Sequence, residues 1–333
     1  RLRERTSSRE ANLRRRTAIS GAAALMETAH GVSAQQAYPA KPLHVIVPFP
    51  PGNPADLAAR LIGEKWSAAW GQPVVIDNIP GAAGTIGVAR AVKAAPDGYT
   101  LVLSGDAAAV TNITLKPNLG YDTRKDLAPI TQVGSTPNLL VVRKDLQANN
   151  IMELVALARK QPGTLTFGST GIGTSQHIGG EILCQMTGID MVHVPYKEPY
   201  INDLIARRID MGFANTVTSL QQVRAGSIRA IAVSSGQRIA VAPDVPTVAE
   251  SGVPNFNVTP WFGYLAPAAT PPAVVAKLYA AAIEALADPV LRGKLEERGF
   301  EIIANTPQQF EAFLKSDIPR IAEVIRSRGI KAQ

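Results

Sequence analysis

Two short loops carry residue types that suit the binding of an anion, and the first of them is PPGNPAD at 50–56. It follows an apolar run and precedes a helical pattern. Asn53 suits the N-cap of that helix, Pro54 its first position, and Asp56 the third position after the cap, as in a capping box. Free N–H groups at a helix start attract anions, although Asp56 opposes an anion at close range. Taken alone, this loop favours simple capping of the helix.

The second loop, GSTGIGTSQH at 168–177, holds three glycines and four Ser or Thr residues between a strand pattern and a helix pattern. Its N–H groups, hydroxyls and accessible backbone suit a carboxylate or a phosphate. It lacks the third glycine of a dinucleotide fingerprint, the Gly-Lys-Ser/Thr of a P-loop and the G-x-S-x-G of a nucleophile elbow. His177 is interpreted as a structural or helix-capping residue.

The remaining reactive residue types show no catalytic or metal-binding spacing. The four histidines and the single Cys184 are too scattered to form a metal site, and one cysteine excludes an internal disulfide. Cys184 lies in the apolar stretch GGEILCQM and is interpreted as a small buried hydrophobe. Lys197, after the strand pattern ending at Tyr196, suits a cleft and the surface equally. An enzyme would need residues that are distant in sequence.

The composition is that of a globular chain with little to attract nucleic acid. The chain has 333 residues, 46% hydrophobic and 18% charged, and no apolar run approaches the length of a membrane span. Its net charge of +7 is concentrated near the N-terminus: residues 1–37 hold seven Arg and three Glu, a net of +4, which leaves +3 for the rest. No basic stripe with interleaved aromatics is present, so we expect no nucleic-acid partner.

Residues 1–37 are typical of a secretory signal peptide. Arg14, Arg15 and Arg16 precede the apolar stretch TAISGAAALM, and small residues end at Ala34 and Ala37, which suit cleavage. We therefore expect export to the periplasm with cleavage near one of these alanines. A disordered basic extension is the alternative.

The elements that must position the two loops alternate between strand and helix. The first series predicts strands at 43–49, 73–77 and 99–104, with helices at 55–70 and 85–95. The second predicts strands at 138–143, 165–169, 191–196, 209–215 and 228–235, with helices at 151–161, 174–188, 200–208 and 219–226. A strand from Trp261 and helices at 271–287, 289–298 and 307–328 follow, and Pro319 should kink or break the last helix. This order is typical of α/β sheets covered by helices.

The strand–glycine loop–helix unit occurs twice, at 47–59 and 167–178, about 120 residues apart. Two α/β lobes that each carry such a loop would enclose a cleft. Ligands in open α/β sheets bind at the carboxyl ends of strands, and clefts between domains are frequent small-molecule sites. The pattern thus predicts a ligand cleft between two lobes.

Several longer segments together resemble a known family. They are YPAKPLHVIVPFPPGNPADLAAR, GQPVVIDNIPGAAGTIG, AAPDGYTL, GSTGIGTSQHIGGE, HVPYK, DVPTVAESGVP and WFGYLAPAATPP. From about Tyr38 to the C-terminus they resemble the extracytoplasmic solute receptors of tripartite tricarboxylate transporters, the Bug-type family. The resemblance implies a monomeric periplasmic binding protein, not an enzyme, without cofactor or metal. Such a protein captures a small carboxylate and delivers it to membrane transporter subunits.

The fold implied by this resemblance is an α/β, two-lobed, type II-like periplasmic binding protein. Each lobe would have a mostly parallel sheet flanked by helices, with a hinge of crossing strands. Residues 38–138 and 260–333 would form lobe 1, and residues 139–259 lobe 2.

The same resemblance assigns the ligand-binding residues. In the first lobe they are Phe49, Pro50, Pro51, Gly52, Asn53, Ser104, Asp106 and Ala107. In the second lobe they are Ser169, Thr170, Gly171, Gly173, Thr174, Ser175, His177, Tyr196, Lys197, Ala214 and Asn215. Trp261 completes the set where the chain returns to the first lobe.

Some positions depart from the family pattern. Asn53 and Glu198 stand where glycine is usual, Ala214 where Asp is common, and Ile79 where Arg is common. Glu198 would repel a multiply charged anion or pair with an amino group. We therefore expect a mono- or dicarboxylate rather than citrate. Two alternatives stay open: an orphan receptor that feeds a sensor kinase, and a cytoplasmic α/β enzyme that acts on a phosphorylated substrate.

Overall fold

Residues 38–116, 118–196 and 200–331 are described by the structure, a computed structural model of the chain. The predicted signal peptide, Lys197 and Glu198 lie outside the described residues. The strands are β1 Leu43–Val47, β2 Val74–Asn78, β3 Thr100–Gly105, β4 Leu127–Ser135, β5 Asn138–Arg143, β6 Thr166–Ser169, β7 Val192–Pro195, β8 Met211–Asn215, β9 Ile228–Val233, β10 Trp261–Pro267 and β11 Glu301–Ile302.

The helices are α1 Pro54–Trp70, α2 Thr85–Val92, α3 Asn112–Leu115, α4 Thr123–Asp126, α5 Ile151–Lys160, α6 Ser175–Thr187, α7 Ile201–Ile205, α8 Thr216–Arg224, α9 Pro272–Ala287, α10 Pro289–Glu296 and α11 Pro307–Ser327. A 3-10 turn at Ala82–Gly84 precedes α2, and a π-helical turn at Ala107–Thr111 precedes α3. None of the helices that the structure describes combines the length and apolarity needed to cross a membrane.

The described strands form two sheets with the same plan. The first has the order β11-β4-β10-β3-β1-β2 and the second β7-β6-β8-β5-β9. In each, three strands pair in parallel, and one strand that comes from the other sheet is inserted antiparallel: β10 between β3 and β4, and β5 between β8 and β9. The sheets are therefore mixed, because a strand that arrives from the other domain enters from the opposite end.

Two chain segments cross between the sheets, after β4 and after β9, and they lie side by side. Thr136 N–H donates to Pro260 O at 3.0 Å, and Val258 N–H donates to Ser234 O at 3.0 Å. The predicted α/β class, with two sheet domains joined by crossing strands, is confirmed.

Two predicted helices differ from the structure, and a long strand was not predicted. Helix α11 continues through Pro319, because this residue is exposed while the opposite face is buried through Leu314 and Ile318. Helix α7 is shorter than predicted. Strand β4 was not predicted, since its sequence LAPITQVGS has no apolar alternation; its buried polar groups are satisfied by Asn305, which accepts from Thr131 Oγ1 at 2.7 Å.

Helix α6, which follows the second glycine loop, lies unusually close to the second sheet. A Cβ added to Gly180 would lie 2.3 Å from Cε2 of Phe167, and one added to Gly179 would lie 3.1 Å from Cδ2 of Phe213. Both phenyl rings are fully buried. The C-terminal end of α11 holds the other side of α6, because Arg328 Nε donates to Glu181 Oε2 at 2.9 Å. The start of α6 is thus fixed from two sides.

We expect Gly180→Ala to lower the free energy of unfolding by about 1–3 kcal/mol, the usual cost of overpacking a core. The added methyl group would clash with the Phe167 ring, which is fully buried. Urea unfolding followed by circular dichroism measures the change. The matched control is Gly293→Ala in α10, where no atom lies within 4 Å of an added Cβ, so the variant should be neutral or slightly more stable. Equal stabilities of the two variants would contradict this account.

Candidate functional site

A cavity of about 370 Å³ lies where the two domains and α11 meet. Its wall comes from four elements: the π-helical turn after β3, the first turns of α6, the crossing segment before β10, and the middle of α11. The polar and aromatic side chains that line it include Asp106, Thr111, Ser175, Thr259, Trp261 and Arg320. Three of these, Asp106, Ser175 and Trp261, were assigned to the site from the sequence.

The backbone N–H groups of the first glycine loop donate hydrogen bonds within the loop and its helix cap. Gly52 N–H donates to Asp56 Oδ2 at 2.9 Å, Ala55 N–H to Asn53 Oδ1 at 2.8 Å, and Asn53 N–H to Pro50 O at 3.3 Å. Pro51 has no N–H to offer. The geometry agrees with the capping interpretation of this loop.

The acid of this cap is ionised and buried. Burial alone would raise the pKa of Asp56, but hydrogen bonds from Arg60, Gly52 and Asn78 and the charge of Arg60 outweigh it and lower the pKa below its usual value. Asn78 Nδ2 also donates to Phe49 O at 3.2 Å, which ties the loop to β2. An ionised carboxylate, paired with Arg60 at 2.9 Å, therefore occupies this helix start.

The second loop is capped in the same way, but the acceptor of the glycine N–H is a neutral side chain. Thr174 is the N-cap of α6, its Oγ1 accepts from His177 N–H, and Gly173 N–H donates to His177 Nδ1 at 3.2 Å. Because a backbone N–H only donates, His177 Nδ1 carries the lone pair and Nε2 the proton, which faces Glu181 Oε1 at 3.6 Å. His177 thus takes the place in α6 that Asp56 takes in α1, without its negative charge.

The rest of the second loop is held by its own side chains. Thr170 N–H donates to Gln176 Oε1 at 2.7 Å, and Gly171 N–H donates to Ser169 Oγ at 3.1 Å. Ser169 Oγ also lies 2.6 Å from His193 Nε2. The pKa of His193 is lowered to about 4, chiefly by burial.

Ser175 is the residue of this loop that reaches the cavity. It is the first residue of the 13-residue helix α6. Its Oγ accepts a long hydrogen bond of 3.5 Å from Asn138 Nδ2. The hydroxyl and the first helical turn therefore face the space between the domains.

Both loops rest on one segment, 105–115, at opposite ends. A Cβ on Gly105 would lie 3.2 Å from Cζ of Phe49, the residue directly before the first loop. A Cβ on Gly173 of the second loop would lie 2.8 Å from Leu115 Cδ1 and 3.4 Å from Thr111 Cγ2. The two loops are therefore brought to the same part of the first domain, although the first does not line the cavity.

The other predicted site residues hold structural positions. Ser104, Ala107 and Ala214 are buried in the strands or turn that contain them. Asn215 caps α8 by accepting from Val217 N–H at 2.9 Å. Tyr196 donates its hydroxyl to Asp203 Oδ2 at 2.8 Å.

Sequence reasoning missed the charged pair that α11 brings to the cavity. Asp317, only 6% exposed, accepts from Arg320 Nε at 2.9 Å, and both residues line the cavity. Their i, i+3 spacing was the only signal in the sequence, and many solvated helices share it. Opposite them, the pKa of Asp106 is raised to about 7, by burial first and then by the charge of Asp317.

Trp261 contributes a buried donor. Its side chain is 2% exposed and packs edge-on against Phe310 and Phe313, with ring centroids 5.3 and 5.6 Å away. In the part of the chain that the structure describes, its Nε1–H has no hydrogen-bond partner. Within the same ranges no three His, Cys, Asp or Glu side chains cluster closely enough to hold a metal ion.

Comparison with known sequences gives two close matches over most of the chain. A family model described as tripartite tricarboxylate transporter family receptor matches residues 58–330. Protein BugT of Bordetella pertussis is 35% identical over 297 residues, which are 88% of this chain and 91% of BugT.

Solved structures resemble the whole two-domain unit. One described as a periplasmic transporter is 38% identical with a TM-score of 0.80 and covers 89% of this chain and 99% of its own. Rpa4515 of Rhodopseudomonas palustris, solved with adipate, is 32% identical with a TM-score of 0.81 and coverages of 88% and 99%. MatC of the same organism, solved with bound malate, is 30% identical with a TM-score of 0.77 and coverages of 86% and 100%.

We expect Asp106→Asn to stabilise the protein more at pH 8 than at pH 5. Because the pKa of Asp106 is higher in the folded chain than its usual 3.8, the folded state holds its proton longer and stability falls as pH rises from about 4 to about 7. Asparagine removes this loss. The stabilisation of the variant relative to the wild type should therefore increase by roughly 1–3 kcal/mol from pH 5 to pH 8, given about 1.4 kcal/mol per pKa unit. Urea unfolding across this pH range measures it.

The control for this effect is Asp244→Asn, at an exposed loop residue. The pH dependence of its stability serves as the reference for that of the Asp106 variant. A pH-independent gain for the Asp106 variant would show that the carboxylate ionises normally in the folded protein.

Proposed function

Because the chain belongs to the family of tripartite tricarboxylate transporter receptors, we propose that it is a solute-binding receptor that captures a small carboxylate between its two domains and delivers it to membrane transporter subunits. It binds without catalysis and without a cofactor. In this proposal residues 38–138 and 260–333 form one lobe and residues 139–259 the other.

The cavity carries this proposal, because both domains and the crossing segment build its wall. Such a site is complete only when the domains are together, which couples ligand capture to domain closure. Its volume of about 370 Å³ is at the small end of ligand pockets and suits a compact molecule.

The local hydrogen bonding favours the second loop over the first as the site of the carboxylate. At the start of α1 the ionised Asp56 occupies Gly52 N–H, whereas at the start of α6 the same position holds His177, with a neutral nitrogen as acceptor. Ser175 lies at the positive end of the α6 dipole and faces the cavity. The carboxylate therefore docks at the first turn of α6.

Donors across the cavity complete the site. Arg320 directs Nε and Nη2 to Asp317 and retains further N–H groups for a ligand oxygen. Trp261, whose Nε1–H is unpaired among the described residues, and Thr111, with its hydroxyl, belong to the same wall. These neutral donors and one cation suit one or two carboxylate groups better than three.

Two solved relatives support this ligand class, since one was solved with adipate and the other with malate, both dicarboxylates. A third is described as a periplasmic transporter, which supports export of this chain through residues 1–37, with cleavage near Ala34 or Ala37. Delivery to a sensor kinase instead of a transporter would use the same binding step.

We expect Arg320→Gln to weaken carboxylate binding by about 10-fold or more, the usual effect of losing a charge-assisted hydrogen bond. Isothermal titration with the best carboxylate measures the change. The matched control is Arg326→Gln on the same helix, where Arg326 is exposed and pairs with Glu323 outside the cavity. If both variants bind alike, Arg320 does not contact the ligand.

We expect mono- and dicarboxylates to raise the melting temperature, and citrate to do so less or not at all. A bound ligand stabilises the folded state by mass action, so the shift ranks affinities at equal concentration. Thermal shift against a panel of small acids, with nucleotides and sugar phosphates included, tests this ranking. Strongest stabilisation by citrate would refute the preference, and stabilisation only by phosphorylated compounds would refute the receptor.

A further inference from the structure

The cavity has more acidic than basic groups, which is unexpected for a site that binds an anion. Its charged lining within the described residues consists of Asp106, Asp317 and Arg320. Arg320 is bound to Asp317 through two of its nitrogens. The carboxylate of Asp106 therefore remains without a cation of its own.

Asp106 stands directly in the cavity wall, at the start of the π-helical turn after β3. Among the residues that the structure describes, no Lys, Arg or His side chain forms an ion pair with it. The charged groups that face it, Asp317 and Arg320, both belong to α11 and nearly cancel each other. Its carboxylate is partly exposed to the cavity and accepts hydrogen bonds from the main chain at Asp106 and Ala107, so what it lacks is a cation, which a bound ligand could supply.

The opposite side of the cavity favours negative charge. Ser175 at the start of α6 and Arg320 suit a carboxylate, as argued for the proposed function. Asp106 lies on a different element of the same wall, the turn after β3. The cavity thus presents an anion-binding end and a cation-binding end.

We propose that the physiological ligand is an amino acid or a similar zwitterion, with its ammonium group on Asp106 and its carboxylate at the first turn of α6. This inference rests on the proposed function, because it takes the carboxylate end from it. Asp106 then makes small carboxylates that also carry a positively charged nitrogen bind more tightly than those that do not.

Matched pairs of ligands that differ only in the ammonium group test this proposal. The pairs are aspartate and succinate, glutamate and glutarate, and 4-aminobutyrate and butyrate. By isothermal titration at pH 8 we expect at least one amino compound to bind the wild type about 10-fold or more tighter than its partner, as an ion pair with a buried carboxylate would give. Asp106→Asn should reduce this preference to about threefold or less, and Asp244→Asn should leave it unchanged.

Proton exchange gives a second readout that does not depend on affinity. Near pH 7 an ammonium group favours the ionised form of Asp106, so binding should release protons; a plain dicarboxylate should favour the protonated form and take protons up. Titration in two buffers of different ionisation enthalpy measures the sign. The signal should vanish in Asp106→Asn, whose folding is checked by urea unfolding.

The outcomes distinguish this proposal from the proposed receptor function on which it rests. If plain acids bind as well as their amino partners, with proton uptake, Asp106 acts as a protonated donor to a carboxylate; the amino-ligand proposal then fails and the receptor stands. If no acid of any pair or of the wider panel binds, both fail. An ammonium preference that survives Asp106→Asn would also overturn the role of Asp106.

Discussion

The N-terminal turn of α6 reaches the cavity because two glycines let this helix lie directly on aromatic side chains of the second sheet. Gly179 faces Phe213 and Gly180 faces Phe167, with no space for even a methyl group at the second position. A larger side chain would displace the helix and, with it, Ser175. Since interiors pack as tightly as crystals, such a displacement would not be absorbed locally. Two residues that do not touch the cavity thus determine where its donors lie.

The two glycine loops are capped in the same way but differ in the charge of the side chain that accepts the glycine N–H. In each, the third helical residue accepts a hydrogen bond from the glycine before the cap: Asp56 from Gly52, and His177 from Gly173. The first helix start carries a carboxylate, which is paired with Arg60, whereas the second carries a neutral imidazole nitrogen. The two copies therefore differ in their local charge, and the proposed site uses the second.

Charge balance distinguishes this cavity from a simple anion site. Helix α11 contributes Asp317 and Arg320, which neutralise each other, and the turn after β3 contributes Asp106. The family likeness explains the two domains, while the proposed role of Asp106 rests on its place in the cavity wall. Ligand selectivity within a shared fold is thus set by single residues in the wall rather than by the scaffold.

The sequence by itself determined the α/β class, the two glycine loops with their caps, and a cleft between two lobes, because these depend on local periodicity and turn chemistry. Strand β4 was not predicted, because the hydroxyl of its buried Thr131 donates its hydrogen bond to Asn305, more than a hundred residues away. Only the tertiary structure decided which loop faces the cavity and that Asp317 and Arg320 stand near Asp106. Those outcomes depend on contacts between residues far apart in the chain, for which no local pattern exists.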